Sequence, residues 1–238
     1  MTKPYEHWNV LPHGPVVRVD DDILTVVGQI HMPLTDLPRR MTVVRLRDSR
    51  LVIWSAIALD EPAMATLEAF GRPAFLIVPN DHHRLDAKAW KQRFPQMIVA
   101  APIGARLEVE EIVPVDTTVP DFGDPSVQFV TVPGTRDQEA ALVVRTASGT
   151  TLLLNDLVGN IRSTPDVGNW LLRLAGFAGP GAQIPKLVKL AMVRDADALR
   201  DQLLQWAEHE SPRRILVSHG DPIETNAPRT LRELARSL

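Results

Sequence analysis

The sequence predicts an α/β protein, and three observations support this class. Short runs rich in β-branched residues fill residues 15–58, between Asp, Gly and Pro punctuation. Two later apolar runs, "AFLIVP" and "QMIVAAP", are typical of strands buried on both faces of a sheet. Segments with helical spacing separate these runs, so strands and helices alternate along the chain.

The composition limits the classes of function. A chain of 238 residues with 45% hydrophobic content can bury one large core, so we predict a single domain, residues 1–238. The net charge of −3 and the lack of a basic stripe argue against a nucleic-acid partner. The chain has no cysteine, which excludes disulfides, thiolate metal ligands and thiol nucleophiles. We find no secretory signal and no apolar run of about 18 residues, and therefore expect a cytoplasmic protein without a membrane span.

The first half of the chain is predicted element by element. Four β-like runs, which we expect to form antiparallel strands, are "PVVRV", "ILTVVGQI", "MTVVRLRD" and "RLVIWSAIA". A helix follows, because Asp60 is suited to cap it, Met64, Leu67 and Phe70 share one face, and Gly71 ends it. The strand "AFLIVP", a helix within "DAKAWKQRF" and the strand "QMIVAAP" come next.

The second half repeats the β-rich character of the first. Three apolar runs, "VQFVTVP", "ALVVRTA" and "TLLLN", predict strands separated by turns. A long helix through "DADALRDQLLQWAEHE", the strand "RILVS" and a terminal helix after Asn226 complete the chain. Between these parts, residues 168–193 predict two apolar helical pieces. Such pieces could cover the sheet, form a homo-oligomer contact or lie on a membrane surface.

Polar side chains follow three of the predicted strands. His82 and His83 come after "FLIVP", Asp156 after "TLLLN" and His219 after "RILVS". Strands of α/β proteins end at the crevice where ligands bind, and imidazole and carboxylate groups are ligands for zinc, iron or manganese. Each group also has a structural interpretation, since turns commonly contain solvated histidines and capping carboxylates. For Asp86 we predict a helix N-cap rather than a ligand.

The order of these motifs resembles the metallo-β-lactamase superfamily, from about Met41 to Asp221. The matching segments are "FLIVPNDHHRL", "VPGTRDQ", "TLLLND" and "ILVSHGDP". The resemblance is greatest to an uncharacterised branch with a Pro-Asn and His-His motif. It implies a four-layer αββα sandwich of two mixed β-sheets with helices on the outer faces.

The chain departs from the family's metal motif at several positions. Without gaps, His82 matches the second histidine, whereas Asn80, Arg84 and Leu85 replace the other ligands. Gly134-Thr135 stands for the Gly-His turn, and Trp54-Ser55 for the Asp-x-Gly turn. A two-metal hydrolase needs about six or seven protein ligands, which this chain does not supply at the family's positions.

The resemblance therefore implies a reduced site for at most one divalent ion, zinc, iron or manganese. We expect His82, Asp156 and His219 as ligands, His83 as a ligand or proton carrier, and Arg84 as an anion clamp. The predicted function is hydrolysis of a small or anionic molecule. The alternative is a non-catalytic, metal-free binding protein of the same fold.

Overall fold

The computed structural model describes residues 3–32, 35–162, 178–179 and 181–238. These residues form two mixed β-sheets accompanied by six α-helices, so the predicted α/β class is confirmed. The chain divides into two compact units, and the expectation of a single domain stays a prediction.

The first unit comprises Met1–Ile30 and Pro38–Val127. Six strands form the first sheet in chain order: β1 Val17–Asp20, β2 Ile23–Met32, β3 Thr35–Arg45, β4 Arg50–Trp54, β5 Arg72–Ile77 and β6 Ile98–Ala100. The β1–β2 and β3–β4 pairs are antiparallel, as predicted, whereas β5 runs parallel to both β4 and β6. The loops that follow β4 and β5 therefore leave the sheet at the same edge.

The helices of the first unit are α1 Glu61–Phe70, α2 Ala87–Arg93 and α3 Arg106–Glu110. The prediction for α1 is confirmed in detail. A carboxylate oxygen of Asp60 accepts a hydrogen bond from the N–H of Ala63, while Met64, Leu67 and Phe70 are buried. These side chains join the core of the first unit together with the strand residues Val43, Ile53 and Leu76.

The second unit comprises His31–Leu37 and Gln128–Leu238. The second sheet contains β7 Val127–Thr131, β8 Ala140–Thr146, β9 Gly149–Arg162, β10 Ala178–Gly179 and β11 Arg214–Gly220. Its order is β10-β9-β8-β7, and β11 also pairs with β9. Both β10 and β11 are parallel to β9, whereas β8 is antiparallel to it.

The helices of the second unit are α4 Lys186–Met192, α5 Ala196–Gln205 and α6 Ala227–Arg236. Leu199, Leu203 and Leu231 pack with Leu152 and Val217 in the core of this unit. Of the two helical pieces predicted for residues 168–193, residues 168–177 and 180 lie outside the described residues. In the part of the chain that the structure describes, no helix is long and apolar enough to cross a membrane.

An irregularity in the β9–β11 pairing shapes the second sheet. Leu154 pairs with Val217, but the next pair is Gly159 with His219, so β9 contributes four residues opposite Ser218. Both strands continue past the points where the sequence predicted their ends. Asp156 and His219 therefore lie within strands at a bulge, a feature that re-aims side chains near the rim of a sheet.

Candidate functional site

The Asp156 carboxylate and the His219 imidazole are in direct contact inside the second unit. The His219 Nε2 atom lies 2.9 Å from the Asp156 Oδ1 atom. Only 4% of the His219 side chain and 12% of the Asp156 side chain are exposed. Nearly buried polar groups of this kind need partners, and the bulge between β9 and β11 brings these two together.

Neighbouring polar groups support this pair. The Ser218 hydroxyl donates to the Asn155 side-chain carbonyl, and both residues are buried directly beside His219 and Asp156. The buried Glu139 carboxylate accepts a hydrogen bond of 3.1 Å from the Leu157 N–H, next to Asp156 in the chain. The sequence analysis missed Glu139, because a glutamate in the polar run "TRDQEA" gives no signal of burial.

In the first unit, the loop after β5 is held by Asn80. This buried side chain accepts hydrogen bonds from the backbone N–H groups of His82 and His83, at 2.9 Å and 3.0 Å. Such an Asx-type turn fixes the conformation of the following two residues. Asn80 thus determines the conformation of this loop.

The two adjacent histidines lie in different surroundings. The His83 Nδ1 atom is 2.6 Å from the Ser55 hydroxyl oxygen. The His82 side chain is 47% exposed, and its Nδ1 atom lies 2.7 Å from a carboxylate oxygen of Asp81. The loop that Asn80 fixes therefore gives consecutive imidazoles different partners.

Among the described residues, three side chains form a group suited to holding a metal ion. They are His83, Asp156 and His219, each with one ligand atom within 4.8 Å of the ligand atoms of the other two. His82 is not a member of this group. Of the five predicted site residues, this group contains His83, Asp156 and His219, whereas His82 contacts Asp81 and Arg84 contacts Glu111.

Solved structures of metallo-β-lactamases match this chain over nearly its whole length. The enzyme from Erythrobacter litoralis with β-mercaptoethanol in its active site aligns with a TM-score of 0.64 and 13% identity, covering 97% of this chain and 100% of that one. DIM-1 exposed to ceftazidime gives 0.63 at 9% identity, covering 96% and 99%. FIM-1 from Pseudomonas aeruginosa in its mono-zinc form gives 0.60 at 12% identity, covering 94% and 96%.

This chain has the metallo-β-lactamase fold. The resemblance inferred from the motifs is thereby confirmed for the fold. No protein-family model and no curated protein sequence matches the chain. Because the structural relatives share so few identical residues with it, they establish the fold and leave the activity to be argued from the site.

In this metallo-β-lactamase fold, Arg84 is engaged by neighbours in the first unit. Its guanidinium lies 2.9 Å from a carboxylate oxygen of Glu111 and donates to the backbone carbonyl of Glu108 in α3. The charge of Arg84 is thus partly balanced by a carboxylate of the same unit. Its role as an anion clamp stays a prediction.

Asp86 closes the loop that begins at Asn80. It precedes α2 as predicted, but its carboxylate makes no capping hydrogen bond. Instead, Oδ2 lies 2.6 Å from the Arg39 guanidinium, and Oδ1 accepts a hydrogen bond of 3.2 Å from the Ala58 N–H. Burial raises the pKa of Asp86, whereas Arg39 and the Ala58 N–H oppose that rise. The buried pair ties the end of the loop to β3, so the N-cap prediction was wrong about the side chain.

Proposed function

We propose that this protein is a metal-dependent hydrolase with one divalent ion held by His83, Asp156 and His219. The observation that supports this proposal is the proximity of their ligand atoms, all within 4.8 Å of one another. Two imidazoles and one carboxylate match the donor set of catalytic zinc sites, which keep a further position open. The proposal replaces His82 with His83, whose ring belongs to this group.

The protein's own residues would hold and orient the ion. His219 and Asp156 come from neighbouring strands, and Asn80 fixes the loop that presents His83. A bound ion would supply Lewis acidity toward a carbonyl or phosphoryl oxygen. The polar groups around the ligands, Glu139 among them, would restrict their movement, as outer hydrogen bonds do at metal sites.

The proposed substrate class rests on the chemistry of a single bound ion. We propose hydrolysis of an ester, amide or phosphate bond in a small or anionic molecule. Zinc is the first metal to test, because FIM-1 has been solved in a mono-zinc form. A β-lactam belongs in the substrate panel, because the DIM-1 structure comes from an enzyme exposed to ceftazidime.

Metal analysis of variant proteins tests this function. The protein would be purified without chelator or affinity-tag metal, its metal content measured, and zinc titrated by calorimetry. We expect about one ion per chain, and an affinity loss of more than about tenfold in both His83→Ala and His219→Ala. His82→Ala is the matched control, because it removes the adjacent imidazole, and it should bind zinc like the parent.

Two outcomes would contradict the proposal. Absence of bound metal in the folded parent at millimolar zinc would favour the metal-free binding protein of the same fold. Loss of zinc affinity in His82→Ala, with none in His83→Ala, would return the ligand role to His82.

A further inference from the structure

Ser55 and His83 form a short hydrogen bond within the first unit. Ser55 directly follows β4, and its hydroxyl oxygen lies 2.6 Å from His83 Nδ1. Ser55 is 4% exposed. We propose that Ser55 and His83 are a nucleophile and general base that act on small, activated acyl esters without a metal ion.

The proposal requires a defined direction of proton donation. In the described ranges, His83 Nδ1 is the one hydrogen-bond partner of the Ser55 hydroxyl. A hydroxyl can donate to an unprotonated Nδ1 or accept from a protonated one, according to the tautomer of the imidazole. The proposal assigns the ring proton to Nε2, so that Nδ1 accepts from Ser55. This is the arrangement in which an imidazole activates a serine.

The backbone conformation of Ser55 is also uncommon. Its φ of 53° lies in the left-handed region, which is uncommon for residues other than glycine. The Ser55 N–H donates to the Ile77 carbonyl of β5 at 3.2 Å, which holds this conformation at the end of β4. Strained residues of this kind cluster at functional sites, and a sharp turn after a strand is a known way to present a nucleophilic serine.

The position of His83 is fixed by hydrogen bonds, as a general base requires. The Asn80 side-chain oxygen accepts a hydrogen bond of 3.0 Å from the His83 N–H and so fixes the backbone at His83. The contact of 2.6 Å with the Ser55 hydroxyl orients the imidazole ring. A nucleophile and its base act together only when both are held in hydrogen-bond reach of each other.

The reaction is a two-step transfer. Ser55 Oγ bonds to the ester carbonyl carbon while its proton passes to His83 Nδ1. The bond between the carbonyl carbon and the leaving oxygen then breaks, and the leaving oxygen takes the proton from His83. In the second step, water attacks the acyl-Ser55 ester and gives a proton to His83. The bond between Ser55 Oγ and the acyl carbon then breaks, and Ser55 Oγ takes that proton from His83. The products are a carboxylic acid and an alcohol. Because only 4% of Ser55 is exposed, we expect it to accept a small acyl group such as acetyl.

This activity does not depend on the proposed metal, and metal binding would oppose it. Ligation through Nδ1 would use the lone pair that Ser55 needs. Ligation through Nε2 would leave the ring proton on Nδ1, so that His83 would donate to Ser55 rather than accept from it. We therefore expect zinc to slow acyl transfer by Ser55.

Covalent labelling of chelator-treated protein tests the inference. The full chain would be treated with p-nitrophenyl acetate and, separately, with a small methyl fluorophosphonate, and the modified peptide would be identified by mass spectrometry. We expect stoichiometric modification of Ser55 in the parent. Labelling should vanish in Ser55→Ala and fall by about 10²-fold or more in His83→Gln. Ser49→Ala is the matched control, since Ser49 is an exposed serine with a φ of 64°, and it should react like the parent.

Several results would overturn the inference. They are an unmodified Ser55 in the folded parent, labelling of His83→Gln at the parental rate, and a protonated Nδ1 in the ¹⁵N spectrum of His83 in chelator-treated parent protein. The spectrum requires no variant, so it decides the matter even if a substitution prevents folding. Zinc affinity is measured separately, so failure of the metal site leaves the expected labelling unchanged.

Discussion

At the scale of the residue, three buried polar side chains determine where the loop between β5 and α2 lies. Asn80 binds two backbone N–H groups, Ser55 binds His83, and Asp86 pairs with Arg39. Together they present one imidazole in a defined orientation, which is the requirement for either proposed chemistry.

The Asp86–Arg39 pair allows a direct test of this anchoring. Asp86 is 1% and Arg39 4% exposed, so Asp86→Asn leaves a guanidinium buried without its counter-charge. We expect the free energy of unfolding, measured with urea, to fall by about 3 kcal/mol. The double variant Arg39→Met/Asp86→Leu removes both charges and should recover much of this loss. Equal stability of Asp86→Asn and the parent would contradict a structural role for the pair.

At the scale of the element, the β9–β11 pair carries two of the three proposed ligands. The pairing is regular up to Leu154 and Val217, then resumes at Gly159 and His219. Beyond it, the Asp221 N–H donates to the Asn160 carbonyl at 3.0 Å. The exact position of His219 therefore depends on a close approach between the two strands.

Gly220 makes this close approach of β9 and β11 possible, because it has no Cβ atom. Its φ is 111°, and a Cβ atom at this position would collide with the Asn160 carbonyl. Gly220→Ala should lower the free energy of unfolding by at least about 2 kcal/mol and weaken zinc binding, because β11 must shift beside His219. Gly181→Ala is the control, since a Cβ there meets no atom within 4 Å. Unchanged zinc affinity in a destabilised Gly220→Ala would show that the ligands do not depend on this approach.

At the scale of the whole molecule, acid should unfold the chain in part through buried carboxylates. Asp124 connects the segment before β7 with the β3–β4 turn through hydrogen bonds from the Arg47 N–H, the Ser126 N–H and the Ser126 hydroxyl. Burial by itself would raise the pKa of Asp124, but these hydrogen bonds and the Arg47 charge outweigh burial and lower it.

The sign of the pH dependence follows from this lowered pKa. The unfolded state binds the proton more readily, so the stabilisation from Asp124 is complete above the ordinary aspartate pKa of about 3.9 and is lost as the pH falls below it. We expect Asp124→Asn to reduce stability by about 2 kcal/mol at pH 7, and by less at pH 3, in urea unfolding. Asp201→Asn, an exposed site on α5, controls for the loss of one negative charge. A deficit that grows toward low pH would contradict the assigned direction.

Several whole-molecule expectations stay predictions. These are the cytoplasmic location, the absence of a nucleic-acid partner, and a homo-oligomer contact through residues 168–193. Leu187 and Leu190 of α4 are exposed apolar residues within the last of these segments. Sedimentation of the full chain would measure its mass in solution.

The sequence by itself determined the α/β class, the fold family and most elements, because their signals are local. The Asp60 cap, the apolar face of α1 and the buried strands are each specified by neighbours within a few residues. It also singled out Asp156 and His219 as candidate ligands, since polar groups after apolar runs stand out in a sequence.

Only the tertiary structure decided how the loop is held and which partner each histidine has. His82 and His83 are indistinguishable as sequence, and they differ through the contact of His83 with Ser55, 28 positions away from it. The partner of Asp86 is 47 positions away, so a local rule gave it a cap instead. The bulge that aims Asp156 and His219 arises from pairing between distant strands. Local propensity sets the elements, whereas the burial of polar groups, which must find partners wherever the fold brings them, sets the site.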